Sequence, residues 1–183
     1  MGNRAVIATE DKDIGIYVHW NGSRDCIDGF LAYCKFMKFR APEDDEYGWA
    51  RLVQTIANWF GPDGLSVGVN LYNHLDTDNG DQGVYIISDW KVVDRIYNRG
   101  RGKNPTSREN LISFLTMLSK CQPVNAQLNE KQIELAADQY LEMYACDAAL
   151  PGNDESTPQL PGLDIKDLPE VDVKSLPEKT DAE

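Results

Sequence analysis

The sequence predicts an α+β domain of about 149 residues, an antiparallel sheet of about five strands packed with about four helices. Three observations lead there. Apolar residues recur with period two in some stretches and with the helical period in others. The two kinds of stretch come in clusters rather than in strict alternation, which disfavours a doubly wound sheet. Runs rich in Gly, Pro, Asn and Asp separate them.

Residues 3–9 and 14–20 are β-branched and aromatic runs split by Glu10-Asp11-Lys12-Asp13, the pattern of an opening hairpin. In the second run Ile14, Ile16 and Val18 share one face, and Gly15, Tyr17 and His19 the other. Asn21-Gly22-Ser23 turns the chain into a helix over about 24–38, capped by Ser23, with Ile27, Phe30, Leu31, Cys34 and Met37 along its apolar stripe. A loop with four consecutive acids, Glu43, Asp44, Asp45 and Glu46, leads to a second helix over about 47–60 carrying Trp49, Leu52, Val53, Ile56 and Phe60. Gly61-Pro62-Asp63-Gly64 ends it. Alternation over 65–72 predicts a half-buried strand, followed by strands near 83–88 and about 90–98 with a turn at Ser88-Asp89. Thr106-Ser107-Arg108-Glu109 reads as a capping box opening a helix over about 107–120 with Leu111, Phe114, Leu115 and Leu118. Asn129 caps a last helix over about 130–147, which carries Ile133, Ala137, Tyr140, Leu141 and Tyr144.

Residues 150–183 hold nine acids against three lysines, and the last 33 residues contain five prolines and no aromatic residue. Leu-Pro pairs recur at 160, 168 and 176. Such a segment cannot bury enough apolar area to offset its ordering entropy, so a disordered acidic tail is expected.

The net charge of −12 disfavours general affinity for nucleic acid and favours a basic partner surface. The four cysteines, Cys26, Cys34, Cys121 and Cys146, form no C-x-x-C pair and read as reduced thiols of a cytoplasm. No apolar run approaches the roughly 18 residues of a membrane span, so no membrane association is expected.

Motifs for chemistry are sparse. With His19 and His74 as the only histidines, no histidine-rich metal cage can form, and no metal or cofactor is expected. The loop carrying Asp76, Asp78, Asn79, Gly80 and Asp81 resembles a calcium loop but fails its register, because Ile87 falls where a bidentate Glu is needed. Asn79-Gly80 instead suits a turn with positive φ. Neither a phosphate-cradling glycine motif nor a hydrolase signature is present. A His19–Cys26 nucleophile pair at the start of the first helix is the one enzymatic alternative. Two charged clusters are the candidate binding surfaces. Glu43, Asp44, Asp45 and Glu46, with Asp76, Asp78 and Asp81, could imitate a phosphate backbone to a basic groove. Lys91, Arg95, Arg99, Arg101, Lys103 and Arg108 form a basic island, opposed within its span only by Asp94, that could meet a partner or phosphates of RNA or DNA.

The segments Met1-Gly2-Asn3-Arg4-Ala5-Val6-Ile7, Ile16-Tyr17-Val18-His19-Trp20-Asn21-Gly22 and Tyr47-Gly48-Trp49-Ala50-Arg51 resemble a family of small proteins from phages and mobile elements of bacteria. That family is associated with type II-A anti-CRISPR proteins, inhibitors of the RNA-guided DNA nuclease. The resemblance spans roughly residues 1–98 and carries over no functional residue. It implies a non-enzymatic protein of the bacterial host cytoplasm that binds a guide-loaded effector nuclease and blocks target DNA binding or cleavage. A phage accessory protein that binds another host protein or nucleic acid, and a small enzyme centred on His19 and Cys26, remain the alternatives.

Overall fold

The computed structural model describes residues 2–62, 66–97 and 104–148, with side chains to Cys146. The expected tail lies outside the described residues. Strands β1 (Ala5–Ala8), β2 (Ile14–Val18), β3 (Val67–Leu71), β4 (Val84–Ser88) and β5 (Lys91–Ile96) form one sheet in the order β3-β2-β1-β4-β5. Helices α1 (Arg24–Phe36), α2 (Glu46–Phe60), α3 (Arg108–Cys121) and α4 (Glu130–Ala148) pack on one face of it. The α+β class and the numbers of strands and helices are as the sequence predicts.

The sheet is mixed rather than wholly antiparallel. β1 pairs antiparallel with β2 but parallel with β4, with Ile7 opposite Tyr85. The chain leaves β2, builds α1, α2 and the edge strand β3, and returns to lie beside β1. Such a long connection is what a parallel pair requires.

The inward rows Ala5, Ile7, Ile16, Val18, Tyr85, Ile87 and Val92 meet Phe30, Leu31, Leu52, Ile56, Leu111, Leu115, Leu118 and Tyr140 in one core. Val6, Ala8, Val84 and Ile86 face the other way, under Tyr17, Tyr72 and Leu75. β3 is less buried than its alternation suggests: Val69 and Leu71 are each 51% exposed. At the sheet edge the helical layer covers Val67 but not the rest of the row.

Local chemistry explains the boundaries. Asp45 caps α2, its carboxylate accepting from the N–H groups of Tyr47 and Gly48. Asn129 and Gln132 cap α4 reciprocally, at 3.1 and 2.9 Å. At α3 the cap is Ser107, one residue beyond the Thr106 that the capping-box pattern implies, and it accepts from Asn110 N–H. Thr106 is instead drawn to the carboxylates of Asp25 and Asp28. Ser23 stands at the N-cap of α1 without a capping bond, its hydroxyl donating to Cys26 Sγ. Between β4 and β5 the turn is Asp89-Trp90, both at positive φ (45° and 64°). A tryptophan is unusual in that conformation. Its burial and the 3.0 Å bond from Nε1 to Phe39 O hold it there.

Candidate functional site

The first turn of α1 carries the least expected feature of the molecule, a buried ion pair. Arg24 and Asp28 lie one helical turn apart, 3% and 0% exposed, with Arg24 Nε 2.8 Å from both carboxylate oxygens. Charges are rarely buried at this depth unless paired. Tyr140 O–H donates to Asp28 Oδ1 at 2.7 Å and Thr106 N–H to Oδ2 at 2.8 Å. Arg24 Nη2 and Val92 N–H both donate to the Tyr144 hydroxyl, each at 2.9 Å, and that hydroxyl lies 3.1 Å from the Tyr140 hydroxyl. A single proton order satisfies the chain, with Tyr144 donating to Tyr140 and Tyr140 to Asp28. Burial pushes the Asp28 carboxyl up, opposed by Arg24, Tyr140 and Thr106. Every group facing it is a donor, so the geometry fits the carboxylate at neutral pH.

Arg95 extends this cluster from the sheet. Its side chain points into the helical layer because β5 bulges. Ile87 faces Val92 and Ile86 faces Asp94, so Val93 is the extra residue and Arg95 comes opposite Tyr85 on the inner face. The guanidinium stacks 3.6 Å from the Tyr85 ring centroid and donates from Nη2 to Gln82 O at 2.5 Å. Burial pushes its pKa down, and the like charge of Arg24 adds to that. Tyr85 O–H donates to Gly22 O at 2.9 Å, tying the sheet to the turn before α1.

The remaining basic residues divide. Lys91 Nζ donates to Met143 O at 2.9 Å and sits over the Tyr144 ring. Arg108 pairs with Asp138 at 2.6 Å. Both therefore tie other elements to α4. Arg99, Arg101 and Lys103 lie outside the described residues.

The acidic run is largely structural. Glu43 accepts from Ser88 Oγ and from Asp89 N–H. Asp44 accepts from Ala41 N–H, and Asp45 caps α2 while pairing with Arg40, which holds its carboxyl below the usual range. Asp81 binds Arg4 through Nε at 2.7 Å and through its backbone N–H at 3.1 Å, and Asp76 lies 3.9 Å from the same guanidinium. Buried Asn79 organises this loop by bonding Asp76 O, Asp81 N–H and both backbone groups of Gly83, with Gly80 at φ 75°. Glu46 and Asp78 are exposed and make no hydrogen bond or ion pair among the described residues.

His19 and Cys26 are not brought together. His19 is exposed, with Tyr17 OH 3.4 Å from Nδ1 and Trp20 edge-on. Cys26 is buried, accepts from Ser23 and Asn21, and has its thiol pushed up by burial, the opposite of nucleophile activation.

Sequence reasoning singled out Arg95 as a site residue but not Arg24, Asp28 or Tyr85, and it read Thr106 as part of a cap and Tyr140 and Tyr144 as residues of a helical stripe. Two signals were present: opposite charges four apart at 24 and 28 beside an apolar stripe, and Tyr140 and Tyr144 four apart on α4. Comparisons with family models, with curated proteins and with solved structures find no match to this chain. Among the described residues no helix is long and apolar enough to cross a membrane.

Proposed function

We propose that the protein works by binding rather than by bond-making chemistry, as an inhibitor of a guide-loaded type II-A CRISPR effector nuclease. The observation that carries the binding reading is how the charges are distributed. Arg4, Arg24, Lys35, Arg40 and Arg108 are each held by a carboxylate of the same fold, in a chain of net charge −12. The surface is left with an excess of acid, which suits a positively charged channel of the kind that holds a guide–target heteroduplex. The choice of effector rests on the family resemblance of residues 1–98. Occupying that channel would block target binding or cleavage.

The test is co-elution with the effector, with and without its guide RNA, alongside a DNA-cleavage assay. Inhibition that saturates near equimolar protein is expected, and full cleavage at excess protein overturns the reading. Asp78→Lys is the informative charge reversal, because its exposed carboxylate makes no hydrogen bond or ion pair among the described residues, whereas Glu46 also faces the N-terminus of α2. Reversal at Asp45 or Asp81 would confuse lost binding with lost structure.

A further inference from the structure

The sheet ends on two strands of opposite character. β5 carries Lys91, Asp94 and Arg95 together with its bulge, and charges and bulges are what keep an edge from pairing further. β3, Val-Gly-Val-Asn-Leu, has no charge, no proline and no shift of register. Residues 66–75 hold no Asp, Glu, Lys or Arg in a chain of 30 acidic and 18 basic residues, so this edge is clear of charge where charge is otherwise abundant. The ladder fixes which backbone groups of β3 are left over. His19 N–H donates to Ser66 O and Tyr72 N–H to Asp13 O, each at 3.0 Å, in the register that sets Ile16 opposite Val69. Bonded and non-bonded positions alternate in an antiparallel pair. Ser66, Gly68, Asn70 and Tyr72 therefore bond β2, and Val67, Val69 and Leu71 turn their N–H and C=O groups away from the sheet. Asn70 Oδ1 takes the Leu71 N–H at 2.8 Å and leaves the other outward groups without a partner among the described residues. The side chains of Val69 and Leu71, each 51% exposed, stand on the inner face just where the helical layer stops.

We propose that two copies of this chain join β3 to β3, antiparallel about a two-fold axis through Val69, into one continuous sheet. The outward groups are their own complement in that register. Val69 exchanges both N–H···O bonds with Val69 of the second copy, and each Val67 N–H reaches the Leu71 carbonyl opposite it. Such an isologous contact closes at two copies and leaves no further β3 edge. The helical layers of both copies end before this row. Val69 and Leu71 of one copy therefore lie beside Val69 and Val67 of the other, and the apolar side chains shield one another from water. On the opposite face Gly68 falls against Asn70. No like charges are brought together, a condition that a chain of net charge −12 sets for any contact with itself. A basic segment of another protein would find no carboxylate on this strand to pair with, which is why the occupant is a second copy. This contact is independent of the nuclease reading and holds or fails without it.

The experiment is sedimentation equilibrium of the full chain from about 10 µM to about 1 mM, with NMR amide hydrogen exchange at both ends of that range. A monomer–dimer equilibrium is expected, with the Val67 and Val69 amides protected at the high concentration and exchanging freely at the low one. Dimerisation should strengthen as salt is raised, because the repulsion between two like-charged copies is screened. Val69→Pro removes an outward N–H and none of the bonds to β2, and Val69→Lys sets a charge against its own copy on the axis. Each should weaken dimerisation about tenfold or more. Should Val69→Pro not fold, Val69→Lys, at a half-exposed position, decides by itself. A chain that stays monomeric to about 1 mM overturns the proposal. So does a dimer whose Val67 and Val69 amides remain unprotected, or one that Val69→Lys leaves intact. Protection of those amides only when the effector nuclease is added overturns it too, and assigns the edge to a strand of that partner.

Discussion

Replacing Asp28 by asparagine keeps the side-chain volume but removes the only carboxylate paired with Arg24 among the described residues. The guanidinium cannot leave its site, being 3% exposed and bonded also to Tyr144. Breaking a buried pair from one side costs about 3–5 kcal/mol, since the remaining charge stays buried and unpaired. The amide retains one acceptor oxygen for the donors of Arg24, Tyr140 and Thr106, so at least one donor also loses its partner, adding about 1–3 kcal/mol at most. Against a typical total stability of about 5–15 kcal/mol, Asp28→Asn should leave a folded but much weakened protein. Urea unfolding followed by tryptophan fluorescence gives the loss, provided the m-value is unchanged. Arg24→Met, measured alone and with Asp28→Asn, completes a double-mutant cycle. The double variant should be less destabilised than the sum of the singles by about 1–3 kcal/mol. Additive effects, or a loss below about 1 kcal/mol for Asp28→Asn, would refute the view that this pair is buried, ionised and mutually compensating.

Burial pushes Tyr33, Tyr85 and Cys34 each up to about 12, and Tyr140 upward as well. These folded values exceed the unfolded ones, ~10 for Tyr and ~8.5 for Cys, so the stability they contribute is complete below those and is lost as pH rises towards 12. The urea midpoint should therefore fall steadily above about pH 9, and a midpoint constant to about pH 11 contradicts the burial of these groups. Gly29 lies in α1 where an added Cβ would come 2.1 Å from a Phe114 ring carbon. Gly29→Ala should cost about 1–2 kcal/mol in chemical denaturation, overpacking outweighing the gain in helix propensity, and a neutral result would mean that α1 and α3 separate easily. Cys121 and Cys146 are exposed whereas Cys26 and Cys34 are buried. A thiol reagent at neutral pH should label the first pair rapidly and the second only on unfolding, and four equal rates would speak against this core.

Helix positions were legible because an apolar stripe at helical spacing and its caps are local properties. Asn129 announces α4 within four residues of chain, and Asn79-Gly80 announces its turn. The parallel pairing of β1 with β4 was not legible, since both strands present similar apolar rows and nothing local distinguishes a partner far along the chain. Nor was the exposure of β3. Its alternation is that of a half-buried strand, and only the reach of the helical layer decides how much of the row is covered.

The charged residues divide along the same line. Composition and order by themselves established an acidic chain, an α+β arrangement and a basic stretch beginning at Lys91. Which charges face outward was decided by packing. Arg24 and Asp28 are enclosed because α4 and the 104–107 segment close over a helix that is already apolar on its other side. Arg95 turns inward because one bulged residue, Val93, reverses the alternation of β5 between Val92 and Arg95. A shift of one residue in pairing exchanges the two faces of a strand, and the free energy that sets it comes from contacts with β4 and the helices rather than from the six residues of β5 themselves.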